Sequence, residues 1–286
     1  MDLSSTRIKT NGICLNVVQS GPVDGTLVIL LHGFPEFWYG WRKQIPALAN
    51  AGFRVWAPDQ RGYNTSDKPP QVRDYRLDHL TDDVAGLIAG SGRQRVVVVG
   101  HDWGGAVAWW LAANYPELVE RLVILNVPHP LVMQRLIRTD LRQTLRSWYM
   151  FFMQIPWLPE ALMRRGNWRG MARGLQSSSR EGTFTETELE LYRSAWSQRG
   201  AFTAMLNWYR AAFRYPPPAP RNERILPPTL ILWGVRDKFI GREGALRSAD
   251  LCDLGELVFY DRATHWLPLE EYPDVNERII KFVRGA

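Results

Sequence analysis

Cysteine is scarce: Cys14 and Cys252 are the only two in 286 residues. Two thiols make neither a disulfide framework nor, alone, a metal cluster. No apolar run approaches the roughly 18 residues that a membrane-spanning helix needs, which argues against an integral membrane protein. The N-terminal stretch MDLSSTRIKTNG is polar and lacks the apolar segment of a secretory signal. Internal repeats and nucleic-acid-binding motifs are also missing. These absences set a cytoplasmic protein as the expectation. Apolar residues make up 45% of the chain and charged ones 22%, with 23 Gly and 19 Pro. That balance excludes disordered and collagen-like chains, and the length suits one large domain or two small ones. The formal charge of +6 raises the question of an anionic partner.

Apolar, β-rich runs occur at Leu27–Leu31, Arg54–Ala57, Arg95–Val99 and Leu122–Leu125. Helical patterns lie between them at Trp41–Ala51, Leu77–Ala89 and Trp103–Asn114. Such alternation predicts a mostly parallel sheet flanked by helices, an α/β fold. The pattern resumes with strands at Leu230–Trp233 and Leu257–Tyr260 and a closing helix at Tyr272–Val283. Residues 131–222 carry no strand signal. A helical run over Leu131–Met153, a loop at Gly174–Gly182, a capping box at Thr185 and Glu188, and a helix at Ala201–Arg214 are expected there. The domain reading is a core of residues 1–130 and 223–286, with 131–222 inserted as an all-helical cap. Such a cap would cover the carboxyl edge of the sheet, where open α/β sheets bind ligands.

The strongest local signal is Gly100-His101-Asp102-Trp103-Gly104-Gly105, between a strand and a helix. Small residues on both sides of the centre permit a strained strand–turn–helix that lifts the central side chain above the sheet. That centre is usually Ser; here it is Asp102. A lone Asp could merely cap the helix, but the three glycines suit a crowded elbow. A carboxylate is ionised at neutral pH and attacks without a base. Attack on an sp³ carbon gives an alkyl ester that water can hydrolyse, whereas Ser would leave a stable ether. Esterase, lipase and peptidase chemistry is therefore disfavoured.

Ester hydrolysis needs a base, and histidine suits it. His265 lies just past the Leu257–Tyr260 strand, at the carboxyl end of the sheet. His101 should point away from its neighbour Asp102 by strand alternation. His32, His79 and His129 lie in a loop, a helix and a hinge. Asp237 follows the preceding strand, and the order Asp102…Asp237…His265 matches nucleophile, acid and base. The competing acid position holds Asn126, and Asp59 reads as a turn residue. Backbone amides of Phe34 and Trp103 are the expected oxyanion hole.

With these residues placed, the chain resembles a soluble epoxide hydrolase of the α/β-hydrolase superfamily. The segments HGFPEFWYGWRKQIPALANAGFRVWAPDQRGY, GHDWGGAVAW and Leu122–Pro128 carry the resemblance. It implies a Phe34–Pro35 bond that is often cis, and two tyrosines that hydrogen-bond the epoxide oxygen, matched here by Tyr149 and Tyr209. Dehalogenases share the Asp elbow and are the rival reading. Many haloalkane dehalogenases place a donor Asn where this chain has Phe34. Fluoroacetate dehalogenases have Arg at the positions of Trp103 and Ala106 and a His-Trp pair at Tyr149 and Met150. A non-catalytic ligand-binding protein on the same fold is the more distant alternative.

Phe34, Trp38, Trp103, Phe151, Phe152 and Trp266 are expected to line a pocket for an apolar or aryl-bearing epoxide. No metal or organic cofactor, no nucleic acid and no membrane segment is implied, and the chain is expected to be a monomer or homodimer. Residues 131–222 hold 14 basic and 6 acidic residues, a net +8, while the remainder nets −2. Arg135, Arg138, Arg142 and Arg146 recur at helical spacing, which predicts one solvated face of the cap. Attraction of anionic substrates is the alternative role for that charge.

Overall fold

The computed structural model describes residues 3–285. Eight strands form one sheet: β1 (Ser4–Thr10), β2 (Ile13–Ser20), β3 (Leu27–Leu31), β4 (Arg54–Pro58), β5 (Val96–His101), β6 (Val119–Leu125), β7 (Thr229–Gly234) and β8 (Gly255–Tyr260). Their order is β1-β2-β4-β3-β5-β6-β7-β8. Strand β2 is antiparallel to both neighbours, and the other pairings are parallel. The six strands read from apolar runs are all present. The β1–β2 hairpin was not anticipated, because β1 is mostly exposed and has no apolar run to betray it. Its turn, Asn11-Gly12, has positive φ at both residues, the hairpin chemistry that Asn-Gly favours.

Alternate residues of the central strands feed two cores. Ile29, Leu31, Val96, Val98, Leu122 and Ile124 face one layer. Val28, Leu30, Val97, Val99, Val123 and Leu125 face the other. Strands buried on both faces explain the unbroken apolar runs. Helices α1 (Gln44–Asn50), α2 (Leu77–Gly90) and α3 (Trp103–Asn114) connect the first half of the sheet.

Six helical segments then intervene between β6 and β7: α4 (Pro130–Thr139), α5 (Leu141–Arg146), α6 (Trp148–Phe152), α7 (Leu158–Ser178), which is broken by non-helical backbone at Arg165, Gly166, Asn167 and Trp168, α8 (Glu186–Trp196) and α9 (Ala201–Arg214). Helices α10 (Glu243–Ala249), α11 (Leu267–Glu270) and α12 (Tyr272–Arg284) complete the second half. Two expectations are corrected in the inserted helices. Gly174–Gly182 is not a loop throughout, since α7 runs to Ser178. Met171, Ala172, Leu175 and Ser178 bury one face there, and Ser178 Oγ bonds back to the Gly174 carbonyl. Burial outweighs the low helix propensity of Gly and Ser. The run Leu131–Met153 is three helices rather than one. Asp140 leaves helical geometry and caps α5, accepting from the Arg142 and Gln143 amides. Arg135 and Arg138 therefore belong to α4 and Arg142 and Arg146 to α5, not to one continuous helical face. The Thr185–Glu188 capping box forms as expected.

The inserted helices are seated on the core through a buried ion pair. Arg61 Nε and Nη2 bond both oxygens of Asp83 at 2.7 and 2.6 Å. The Arg61 carbonyl in turn accepts from Trp208 Nε1 on α9 at 2.9 Å. Removing one partner of such a pair strands a buried charge. Asp83→Ala is expected to lower the unfolding free energy by about 3–5 kcal/mol in urea titration, far beyond the effect of an exposed carboxylate such as Glu277→Ala.

Candidate active site

The strand order turns at β3 and β5, and the loops leaving their carboxyl ends meet there. At this edge Asp102 joins β5 to α3 with φ 49° and ψ −125°, a strained conformation for a residue with a side chain. Gly104 allows the crowding, since a Cβ there would lie 2.1 Å from the Leu31 carbonyl oxygen. Asp102 Oδ1 accepts from the Phe34 amide at 2.7 Å. Oδ2 lies 3.6 Å from His265 Nε2. One carboxylate oxygen thus sits in the expected oxyanion position while the other faces the histidine and the cavity. Among the described residues, no corresponding bond from the Trp103 amide is made. The Phe34–Pro35 bond is cis.

His265 Nδ1 pairs with Asp237 Oδ2 at 2.7 Å. Asp237 is buried, and its Oδ1 accepts from the Phe239 and Ile240 amides at 2.7 and 3.0 Å. Asn126, set aside above as an acid, donates its Nδ2 to Asp237 Oδ2 at 2.8 Å. It positions the carboxylate from the end of β6, a role that its place in the sequence did not reveal. His101 points away from Asp102, as alternation requires. Its Nε2 donates to the His265 carbonyl at 2.8 Å, and its Nδ1 faces Glu36 at 3.2 Å. Tyr192 of α8 donates to the other Glu36 oxygen at 2.9 Å. Glu36 and Tyr192 were not singled out from sequence, since a lone Glu in a loop and a Tyr in a helix carry no local signal. Asp59 is buried and bound by the Trp38 amide, Asn16 and Asn64, which fits its reading as a turn residue.

Burial by itself disfavours the charged form of every group here. For His265 the carboxylates of Asp237 and Asp102 outweigh burial and push the imidazole up to about 10. For Asp102, burial is likewise outweighed, by His265 first and then by His101 and the Phe34 amide, and its pKa falls. His32 and His129 have no such partners strong enough to compensate, and burial lowers both to about 4.

Asp102, Trp103, Tyr149 and Tyr209 line one cavity of about 380 Å³ between the sheet edge and the inserted helices. The two tyrosine rings lie 6.1 Å apart, and Tyr209 is packed edge-on by Phe34 and Trp103. Burial raises both phenol pKa values, and the Asp102 charge adds to the shift. Both hydroxyls therefore stay protonated as donors. The expected pocket lining is corrected. Of that set Trp103 lines the cavity, while Phe34, Trp38, Phe151, Phe152 and Trp266 do not. Trp266 is buried behind His265 and donates Nε1 to Ser178. Phe151 is exposed and packs on Phe213. The aromatic wall is instead built by Tyr75, Trp110, Trp208 and Phe213. Pairing α4 and α9 across the cavity decides this, and no local motif encodes it. Among the described residues no cluster of His, Cys, Asp or Glu could hold a metal ion, and no helix is long and apolar enough to cross a membrane.

A sheet in this order, with a nucleophile elbow after β5 and an acid and a histidine after β7 and β8, defines an α/β hydrolase. A family model described as alpha/beta hydrolase fold matches residues 26–272. The AB hydrolase superfamily protein YfhM of Bacillus subtilis is 44% identical, with 97% of each chain covered. Epoxide hydrolase 4 of Homo sapiens is 37% identical over 97% of this chain and 78% of its own length. The crystal structure of an epoxide hydrolase from Bacillus megaterium in complex with an inhibitor superposes with a TM-score of 0.88 at 30% identity, covering 98% of this chain and 100% of that one. The chain belongs to the epoxide hydrolases of the α/β-hydrolase superfamily.

The raised His265 pKa carries a sign for stability. Its proton is held more tightly in the folded chain than at the ordinary value of 6.5. The stabilisation is complete below that value and is lost as pH rises towards 10. Urea unfolding of wild type and His265→Gln should therefore differ most near pH 6 and converge steadily up to about pH 10. A gap that widens with pH would contradict the charge arrangement.

Proposed function

We propose that this protein hydrolyses an apolar epoxide to a vicinal diol, with residues 131–222 serving as a cap over the core formed by 1–130 and 223–286. One observation carries the reading: an Asp carboxylate on the core and two protonated phenols on the cap face the same cavity. An esterase or peptidase needs a Ser or Cys at the elbow. An epoxide needs an ionised nucleophile on one side and proton donors on the other.

In this reading Asp102 Oδ2 attacks one epoxide carbon and the C–O bond to the ring oxygen breaks. Tyr149 and Tyr209 hold that oxygen, and one of them delivers the proton that makes it a hydroxyl. Positioned acid catalysis of this kind contributes roughly 10²–10⁴-fold. Esterification removes the Asp102 charge, one of the two that hold the His265 proton. The imidazole pKa then falls, Nε2 gives up its proton, which makes good the one the tyrosine delivered, and Nε2 becomes free to take a proton from water. Asp237, locked by Asn126 and two amides, fixes the ring orientation. The hydroxide adds to the Asp102 carboxyl carbon. The oxyanion forms on Oδ1, against the amides of Phe34 and Trp103. Collapse breaks the bond from the carboxyl carbon to Oδ2 and expels the diol alkoxide, which takes the proton from His265, and the Asp102 carboxyl returns its own proton to the imidazole and is restored as carboxylate. Epoxide plus water gives diol, with no redox partner. The mostly apolar lining supports an apolar substrate of modest size, with Asp102 and Arg138 as the charged side chains on the wall. The free thiols Cys14 and Cys252 accord with a cytoplasmic setting.

His265→Gln should stall after alkylation. Intact-mass analysis after mixing with styrene oxide is expected to show an adduct of one epoxide mass on Asp102, absent in Asp102→Asn. An unshifted mass across a panel of epoxides would remove the mechanism. The Tyr149→Phe/Tyr209→Phe double variant should lose at least about 10²-fold in diol formation, measured by product chromatography. Halide release from haloalkanes faster than diol formation would favour the dehalogenase reading instead.

A further inference from the structure

The inserted helices carry an exposed apolar surface that the catalytic reading leaves unused. Leu141, Leu145, Trp148, Phe151, Ile155 and Trp157 are all exposed, with Trp148 at 64% and Trp157 at 73%. Single exposed apolar residues need no explanation, but six within 17 consecutive positions do. The segment is also held firmly. Arg210, buried, bonds the carbonyls of Met153 and Ile155 and pairs with both oxygens of Glu160. Arg214 bonds the Gln154 carbonyl. Trp157 sits at φ 52°, an unfavourable conformation for a bulky residue, with its indole in solvent. The apolar side chains are thus presented on a braced support.

The charge beside this surface has one sign. Arg135, Arg138, Arg142 and Arg146 are exposed. Among the described residues none of the four has a carboxylate within salt-bridge distance, whereas Arg180, Arg193 and Arg210 of the same insertion do. The nearby acid, Asp140, is occupied in capping α5. The surface also adjoins the cavity entrance. Leu131, Gln134, Arg138 and Phe213 are exposed and line the cavity, and the Phe213 ring lies 5.3 Å from that of Phe151.

We propose that this face docks the protein on an anionic lipid bilayer, with the cavity mouth turned towards the lipid. Exposed tryptophans, leucines and arginines without carboxylate partners, carried on successive short helices beside one cavity mouth, match the apolar interior and anionic headgroups of such a surface. A second copy of the chain matches it poorly. A two-fold contact here would bring the arginines of both copies into one interface with no acidic partner among them. The docking stands apart from the epoxide chemistry; the corollary that the substrate arrives dissolved in lipid rests on it.

Co-sedimentation with vesicles, without substrate, tests the docking alone. Vesicles of equal phosphatidylglycerol and phosphatidylcholine should bind the protein at least about tenfold more tightly than phosphatidylcholine alone, and salt should weaken that binding. Arg135→Glu/Arg142→Glu should lose at least about 25-fold, at roughly fivefold per arginine near an anionic surface. Trp148→Ser/Trp157→Ser should lose about tenfold or more on the same vesicles. The four positions are exposed, and thermal melting checks that each variant is folded. Equal affinity for both vesicle types overturns the proposal, as does wild-type binding by both double variants. A homodimer in sedimentation velocity that Trp148→Ser/Trp157→Ser dissociates, with no vesicle binding by wild type, assigns the face to a second copy and overturns it too.

Discussion

Asp102 occupies a backbone conformation that a residue with a side chain adopts only at a cost of about 1–3 kcal/mol. The rest of the site follows from how that strain is held. Strands β3, β5 and β6 pin the segment before it, and α3 begins directly after it. The Leu31 carbonyl presses so closely on Gly104 that no larger residue fits. The same turn aims one carboxylate oxygen at the Phe34 amide and leaves the other facing His265.

Around that turn the chain balances burial against charge. His265 lies buried between two carboxylates, so each charge is supported chiefly by its neighbours. The support extends outwards in two directions. Asn126 and two amides fix Asp237 from the core side. Glu36 and His101 connect the His265 backbone to Tyr192 on the inserted helices. The insertion is therefore tied to His265 by hydrogen bonds as well as through the cavity wall, and its seating bears on how that histidine is held.

The excess positive charge belongs to the insertion, not to the sheet domain. Its arginines fall into two kinds. Arg210 is buried, paired and structural. The arginines of α4 and α5 are exposed and, among the described residues, have no carboxylate partner, and they border the apolar surface. A basic isoelectric point that first suggests a polyanion partner for the whole chain thus traces to the insertion, where four of its 14 basic residues stand beside one opening. Of these four, Arg138 also lines the cavity.

The residue order alone determined the parallel sheet and the helical insertion, and it singled out Asp102, Asp237 and His265, which the fold brings together. These rest on short-range chemistry: apolar runs, glycines around a turn, and the chain order of groups after successive strands. The cap tyrosines were legible only through resemblance, since a Tyr on a helix has many fates. What lay beyond the sequence depended on contacts between distant segments. The β1 strand has no apolar run of its own, Asn126 and Glu36 gain meaning only from Asp237 and His101, and Asp140 breaks a helix that periodicity would continue. The pocket wall shows the difference most clearly. Phe151 and Trp266 are as aromatic as Trp110 and Trp208, but only the packing of α4 and α9 over the sheet edge decides which rings face the cavity.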